Sequence, residues 1–209
     1  MKTFLFKTIS VLSMMMASAC LFFTGITHAE GPSFDCGKVE AGSIEEMICK
    51  DKGLSALDSK LSEVYAAASK KAINEHPPTL KAEQRGWIKG RNECWKSDDK
   101  RKCVEDEYRL RIAELHALYR LVPGNGPVTY CCDGDQRNEV IVTFFQTDPP
   151  ILYAERGDSV SLMYLQPSAS GTRYQGRNEI FWEKGGEADI TWGHGSPEMR
   201  CMRKEKRSK

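Results

Sequence analysis

"RLVPGNGPVTYCCDG", Arg120 to Gly134, is where this sequence of 209 residues changes its period. Upstream, apolar residues recur every three or four positions; downstream they fall in short aromatic and β-branched runs. Between the two lies Pro123-Gly124-Asn125-Gly126-Pro127, whose prolines and glycines suit neither a helix interior nor a central strand. The run therefore reads as a linker at 123–127, with a helical half at 30–122 and a β half at 128–202. A basic tail, "RKEKRSK", closes the chain at 203–209.

Working back from the linker, Ser43-Ile44-Glu45-Glu46 has the form of a capping box, with Ser43 as the cap and Glu46 three residues on. A long helix is predicted from about Leu54. Leu54, Leu57, Leu61, Val64, Tyr65 and Ala68 form one apolar stripe that ends before His76-Pro77-Pro78. Thr79 can cap the next helix, which carries Leu80, Trp87, Ile88 and Arg91. Asp98 or Asp99 can cap the last, with Val104, Tyr108, Ile112, Leu115 and Tyr119 turned inward.

Working forward, "EVIVTFFQ" (139–146), "VSLMYL" (160–165), "EIFW" (179–182), "ADITW" (188–192) and "EMRCM" (198–202) read as strands. Turn residues separate them. Many short strands of this kind predict a small antiparallel barrel or sandwich, in which closure removes exposed edges.

The N-terminus has the form of an export signal: Lys2 and Lys7, an uncharged apolar run from Thr8 to Ile26, and a cut after Ala29. The mature chain is then exported, periplasmic or secreted, without a stable membrane span. Two other readings are a retained membrane anchor and a lipoprotein anchored at Cys20, which follows Ala17-Ser18-Ala19. Export makes disulfides the default for the remaining cysteines. Cys36 and Cys49 would tie the N-terminal segment to the first helix, and Cys94 and Cys103 would clamp the turn before the last. Each closes a short loop, worth about 3 kcal/mol in the loop-entropy model. Cys132 and Cys201 could lock a barrel shut at its first and last strands. Seven cysteines remain after Cys20, so at least one thiol is left over or pairs between chains. None of the spacings is that of a zinc ribbon.

Charge is unevenly spread. Residues 30–120 balance, with 17 Lys+Arg and 17 Asp+Glu, whereas 121–202 hold 6 against 11, a net −5 that would attract a cationic partner. Within that acidic half, Ser168-Ala169-Ser170-Gly171 is a small-residue loop whose hydroxyls both donate and accept. Gly185-Gly186 permits a tight turn with Lys184 at its tip. From spacing alone these are ordinary hairpin turns.

Two sets of motifs add a resemblance. Phe34-Asp35-Cys36, Ile48-Cys49, Leu54-x-x-Leu57-Asp58, Tyr65, Glu83-Gln84-Arg85-x-Trp87, Arg91-x-x-Cys94, Cys103, Tyr108 and Arg111-Ile112-x-x-Leu115 resemble the cysteine-stapled helical domain of the LprI family. Trp87 and Gln84 read there as core packing and a buried hydrogen bond. Tyr130-x-Cys132-Asp133-Gly134, Ser168-Ala169-Ser170-Gly171-x-Arg173-Tyr174, Phe181-Trp182-x-Lys184-Gly185-x-Glu187-Ala188 and Cys201 resemble the MliC/PliC inhibitors of c-type lysozyme. Cys131, Thr172 and Gly186 depart from that pattern, and either Cys131 or Cys132 could bond Cys201.

The resemblance implies an eight-stranded antiparallel barrel and a binding partner, c-type lysozyme, which is usually strongly cationic. It implies that the loop with Ser168, Ser170 and Gly171 enters the enzyme's cleft, that Lys184 with Gly185 pairs with an acidic residue there, and that Tyr174 braces the loop from within. It further implies protection of a bacterial cell wall from host lysozyme. The alternative is a non-inhibitory envelope module that binds peptidoglycan or another periplasmic protein. No hydrolase signature, metal-binding motif, phosphate-binding glycine loop or nucleic-acid footprint is present, so neither enzyme activity nor a cofactor is expected. His76, His116 and His194 stand apart, and Glu45-Glu46 reads as helix-start charge.

Overall fold

The structure, a computed structural model, describes residues 31–75 and 78–204. The export signal with Cys20, the pair His76-Pro77 and the tail beyond Lys204 lie outside the described residues. Four helices come first: α1 (Ile44–Lys50), α2 (Lys52–Lys71), α3 (Leu80–Asn92) and α4 (Lys100–Leu118). Eight strands follow: β1 (Gly124–Cys132), β2 (Asp135–Phe145), β3 (Ile151–Arg156), β4 (Ser159–Gln166), β5 (Thr172–Gln175), β6 (Glu179–Lys184), β7 (Glu187–Trp192) and β8 (Glu198–Arg203). Among the described residues no helix is long and apolar enough to cross a membrane.

Side-chain oxygens start the helices, though not always the expected ones. Ser43 accepts from the Glu46 N–H, but the Glu46 carboxylate reaches the N–H of Gly42 rather than that of Ser43, which already donates to the Glu40 carbonyl. Thr79 does not cap α3. Its backbone is helical, and the Glu75 carboxylate accepts from the N–H groups of Thr79 and Leu80 instead. Asp99 caps α4 by accepting from Lys102 N–H at 2.9 Å. The predicted stripes meet in one core of Ile48, Leu54, Leu61, Val64, Ala68, Leu80, Val104, Tyr108 and Leu115. Ile88 is the exception, 39% exposed, because α3 packs through Leu80, Trp87 and Arg91.

A chain of hydrogen bonds runs through that core. The Tyr108 hydroxyl donates to Asp58 Oδ1 at 2.7 Å and accepts from Arg91 Nη1 at 2.7 Å. Arg91 Nη2 donates to Glu45 Oε1 at 2.8 Å. Glu45 is thus a partner on α1, not simple helix-start charge, and all four helices share one network. Burial pushes the Tyr108 phenol far above its ordinary range, so it stays a donor. Trp87 sits edge-on to Tyr108 at 5.2 Å, and its indole N–H donates to the Glu107 carbonyl.

In the second half each strand pairs antiparallel with the next, and β8 returns to β1, closing an eight-stranded barrel. Its interior holds Tyr130, Val140, Val142, Leu152, Met163, Tyr174, Phe181 and Ile190. Three strands, β1, β3 and β5, were not among the apolar runs read from sequence. β3 follows directly on Pro149-Pro150, and β5 is four mostly polar residues held by its neighbours on both sides.

The run read as a linker is mostly strand. Gly124 and Asn125 pair with Phe145 and Phe144, and the register then shifts before Val128. Gly126, with φ +148°, has no room for a side chain: a Cβ there would lie 2.8 Å from the Val142 carbonyl oxygen. The other end also differs. Arg203 belongs to β8 and Lys204 N–H donates to the Thr129 carbonyl, so the tail's first two residues complete the barrel.

With no free spacer, α4 lies directly on the barrel wall. Ala113 and Ala117 are buried against Phe145 and Ile151. The Tyr164 hydroxyl of β4 donates to Glu114 Oε1 at 2.5 Å, and Arg111 joins Glu114 to Gln84 of α3. Gln84 therefore does make the hydrogen bond expected of it, inside a relay that ends on the barrel.

The disulfides are Cys36–Cys49, Cys94–Cys103 and Cys132–Cys201. Cys132 stands directly opposite Cys201, whereas Cys131 stands opposite Met202 on the other face of the strand and is a free, buried thiol.

Two outcomes follow. Tyr108→Phe should lower stability by about 3 kcal/mol in urea unfolding, because Asp58 and Arg91 each lose a buried partner. Cys132→Ser should cost about 4 kcal/mol for a bridge spanning 69 residues. Mass spectrometry of that variant should find no Cys131–Cys201 bridge, since the strand turns those side chains to opposite faces.

Candidate functional site

Alternating strand direction sorts the connections between the two ends of the barrel. One end carries the β2–β3 loop (146–150), the β4–β5 loop (167–171) and the β6–β7 turn (185–186), with the start of β1 and the finish of β8. The Ser-Ala-Ser-Gly loop and the Lys184 turn therefore share an end. His194 is exposed in the β7–β8 loop at the opposite end, and His116 is half-buried on α4, where burial lowers its pKa.

The pairing of β5 with β6 brings the two motifs together. Thr172 stands opposite Glu183, so Gly171 comes beside Lys184. Gly171 has φ +67°, and a Cβ there would lie 2.3 Å from the Glu183 carbonyl oxygen and 3.1 Å from Lys184 Cβ. Only glycine permits this approach in both backbone angle and space. Glycine at 171 thereby keeps the loop thin against the end of β6.

Two donors converge on the Ser170 carbonyl: the Ser168 hydroxyl at 2.7 Å and the Trp182 indole N–H at 2.9 Å. Ser168 is thereby engaged in holding the loop, while the Ser170 side chain is exposed at its tip. Trp182 projects from the outer face of β6, opposite Arg173, and is 41% exposed. Sequence reasoning had assigned no role to Trp182. The signal was present in the two-residue periodicity: Phe181 must face inward in a closed barrel, which turns Trp182 outward beside the loop.

Lys184 is exposed, and among the described residues it has no carboxylate within ion-pair distance. Gly185 and Gly186 both have positive φ, at 65° and 91°, which gives the two-residue turn between Lys184 and Glu187. The Gly186 N–H donates to Glu183 Oε1 at 2.8 Å, fixing the turn from below. Tyr174 is only 4% exposed, packed against Phe144 and bonded in register to Leu165 and Phe181. It lies in the barrel interior and offers almost no surface to a partner.

The turn borders a groove of about 660 Å³ on its other side, lined by Pro127, Thr129, Gly186, Glu187 and Met202 among others. A groove of about 910 Å³ lies in the helical half, between residues 31–33 and α2, away from every candidate residue. Among the described residues no group of three or more His, Cys, Asp or Glu is arranged to hold a metal ion.

Comparison with known proteins places both halves. The family described as membrane-bound lysozyme-inhibitor of c-type lysozyme matches residues 130–199. The family described as lysozyme inhibitor LprI matches residues 36–115. The chain is similar to the lipoprotein LprI of Mycobacterium bovis and to that of Mycobacterium tuberculosis, at 30% identity over 168 residues, 79% of this chain and 82% of the relative. That alignment is longer than either half alone, so the similarity extends across both. The chain belongs to the LprI family, with an LprI-type helical domain joined to an MliC-type barrel.

Proposed function

We propose that this protein inhibits a c-type lysozyme, presenting Ser168–Gly171 and the Lys184 turn as a two-part plug for the catalytic cleft. The observation that carries the proposal is the contact of Gly171 with Glu183 and Lys184, which joins the two motifs into one projecting unit. Both families matched here are inhibitor families, which points to a non-catalytic protein.

The chemistry of the target suits these residues. Lysozyme flanks the sugar bond with two carboxyl groups, one protonated and one ionised. The Ser170 hydroxyl can accept from the first and donate to the second. The Lys184 ammonium can form a charge-assisted bond with an ionised carboxylate, stronger than a neutral pair. Because Ser168 and Trp182 already hold the Ser170 carbonyl, little loop freedom is lost on binding. Export to the envelope, with signal cleavage after Ala29 or a lipid anchor at Cys20, would put the protein where a host lysozyme attacks the wall.

Residues 30–209, purified, should slow cell-wall lysis by a c-type lysozyme; no effect at micromolar excess would sink the reading. Binding to isolated cell wall without any effect on the enzyme would favour the non-inhibitory envelope module instead. Ser170→Ala and Lys184→Ala should each raise the inhibition constant about 10- to 100-fold with the fold unchanged. Gly171→Ala should cost at least as much, since a methyl group there forces the loop off the Lys184 turn. Unchanged inhibition by all three variants would separate inhibition from the plug.

A further inference from the structure

Helix α4 extends past the end of the barrel that carries the plug. The contacts of α4 show this level by level. Near its C-terminus, the Arg120 guanidinium lies 5.3 Å from the Tyr153 ring, on the wall two residues in from the rim. One turn back, Ala117 and Ala113 pack on Phe145 and Ile151, which are the rim pair of β2 and β3. Glu114 binds Tyr164, which stands opposite Ile151 at the same level. Further back still, Arg109 pairs with Asp148, in the loop beyond the rim. The helix thus climbs from wall to rim toward its N-terminus, and Lys100–Tyr108 continue past it for about 13 Å at the helical rise. The Cys94–Cys103 bridge fixes the turn that precedes this overhang.

The side of α4 that faces the barrel is the stripe Arg109, Ala113 and Ala117. Continued upward at helical spacing, the stripe reaches Asp106 and Lys102. Those side chains are 50% and 67% exposed and paired to each other at 2.6 Å. The strand that α4 grips, β4, leads within four residues from Tyr164 to Ser168. The plug loop and the overhang therefore lie at the same end of the molecule.

We infer that the N-terminal half of α4, through Asp106 and Lys102, is a second contact surface for the same lysozyme that the barrel loops engage. This rests on the proposed inhibitory reading and extends it: the helical domain is part of the interface. The partner it fits is a folded enzyme broad enough to span from the Ser168–Gly171 loop to α4.

Hydrogen exchange of the full mature chain, with and without a c-type lysozyme, tests this. The expected result is protection at 168–171 and 184–186 together with protection at 99–106. Asp106→Arg, a surface change that leaves the fold intact, should weaken binding about tenfold. Protection confined to the barrel loops, with unchanged affinity of Asp106→Arg, would overturn the second contact while leaving inhibition standing. Protection at neither place would remove the inference along with the reading it rests on.

Discussion

Helix α4 is buried on two sides, and the arrangement of the molecule depends on that. Val104, Tyr108 and Leu115 face the helical core, while Ala113 and Ala117 face the barrel. The two faces differ in kind. The core face carries large side chains and the hydroxyl that links all four helices. The barrel face carries alanines, which let the helix backbone come close to Phe145 and Ile151, and is flanked by Arg109 and Glu114, which bond to Asp148 and Tyr164. Burial pushes the Tyr164 phenol far above its ordinary range, and Glu114 adds to that push, so the hydroxyl remains a donor to the carboxylate at any physiological pH. A helix held this way fixes both domains relative to each other. A flexible tether would not.

The barrel end depends on a second constraint, the closeness of backbone to backbone. Gly126 lets β1 bend over Val142, and Gly171 lets the β4–β5 loop rest on Glu183. Both positions exclude a side chain, and both bring together segments distant in sequence. The Cys132–Cys201 bridge closes the same barrel between its first and last strands, where the β1–β8 pairing is short. The outcome is a loop whose carbonyl is held twice and whose tip is free. Ordering a loop on binding costs free energy, so a loop already ordered loses less of it.

Much of this was legible in the sequence, and most of the exceptions share a cause. Helix stripes, a cap of α4 at Asp98 or Asp99, and the Cys36–Cys49 and Cys94–Cys103 bridges follow from local spacing, whereas Cys132–Cys201 spans 69 residues and only the strand register chooses it over Cys131. One miss is local: Glu75, four residues before Thr79, displaces it as the cap of α3 because its carboxylate reaches the N–H groups of Thr79 and Leu80. The others involve partners far apart in sequence. Glu45 looked like helix-start charge because Arg91 lies 46 positions away. The linker reading failed because proline and glycine mark a bulged edge of a strand as readily as a spacer; only the pairing with Phe144 and Phe145 tells them apart. At the candidate site the residue types were legible, but Trp182 and the neighbourhood of Gly171 with Lys184 needed the register of β5 on β6.

Rigid docking also bears on why two such domains would share one chain. Joined by a flexible five-residue spacer, they could engage one enzyme together, but each encounter would pay for orienting the second domain, at an effective concentration set by the tether. Joined through α4, that orientation is already settled in the free protein. The same rigidity acts against other partners. A surface that accepts the plug but bulges where α4 overhangs must forgo one contact to make the other, with no hinge to relieve it. In the proposed inhibitor, selectivity would then come from the fixed offset between Ser170 and α4, which the alanine face and the Tyr164–Glu114 bond hold in place.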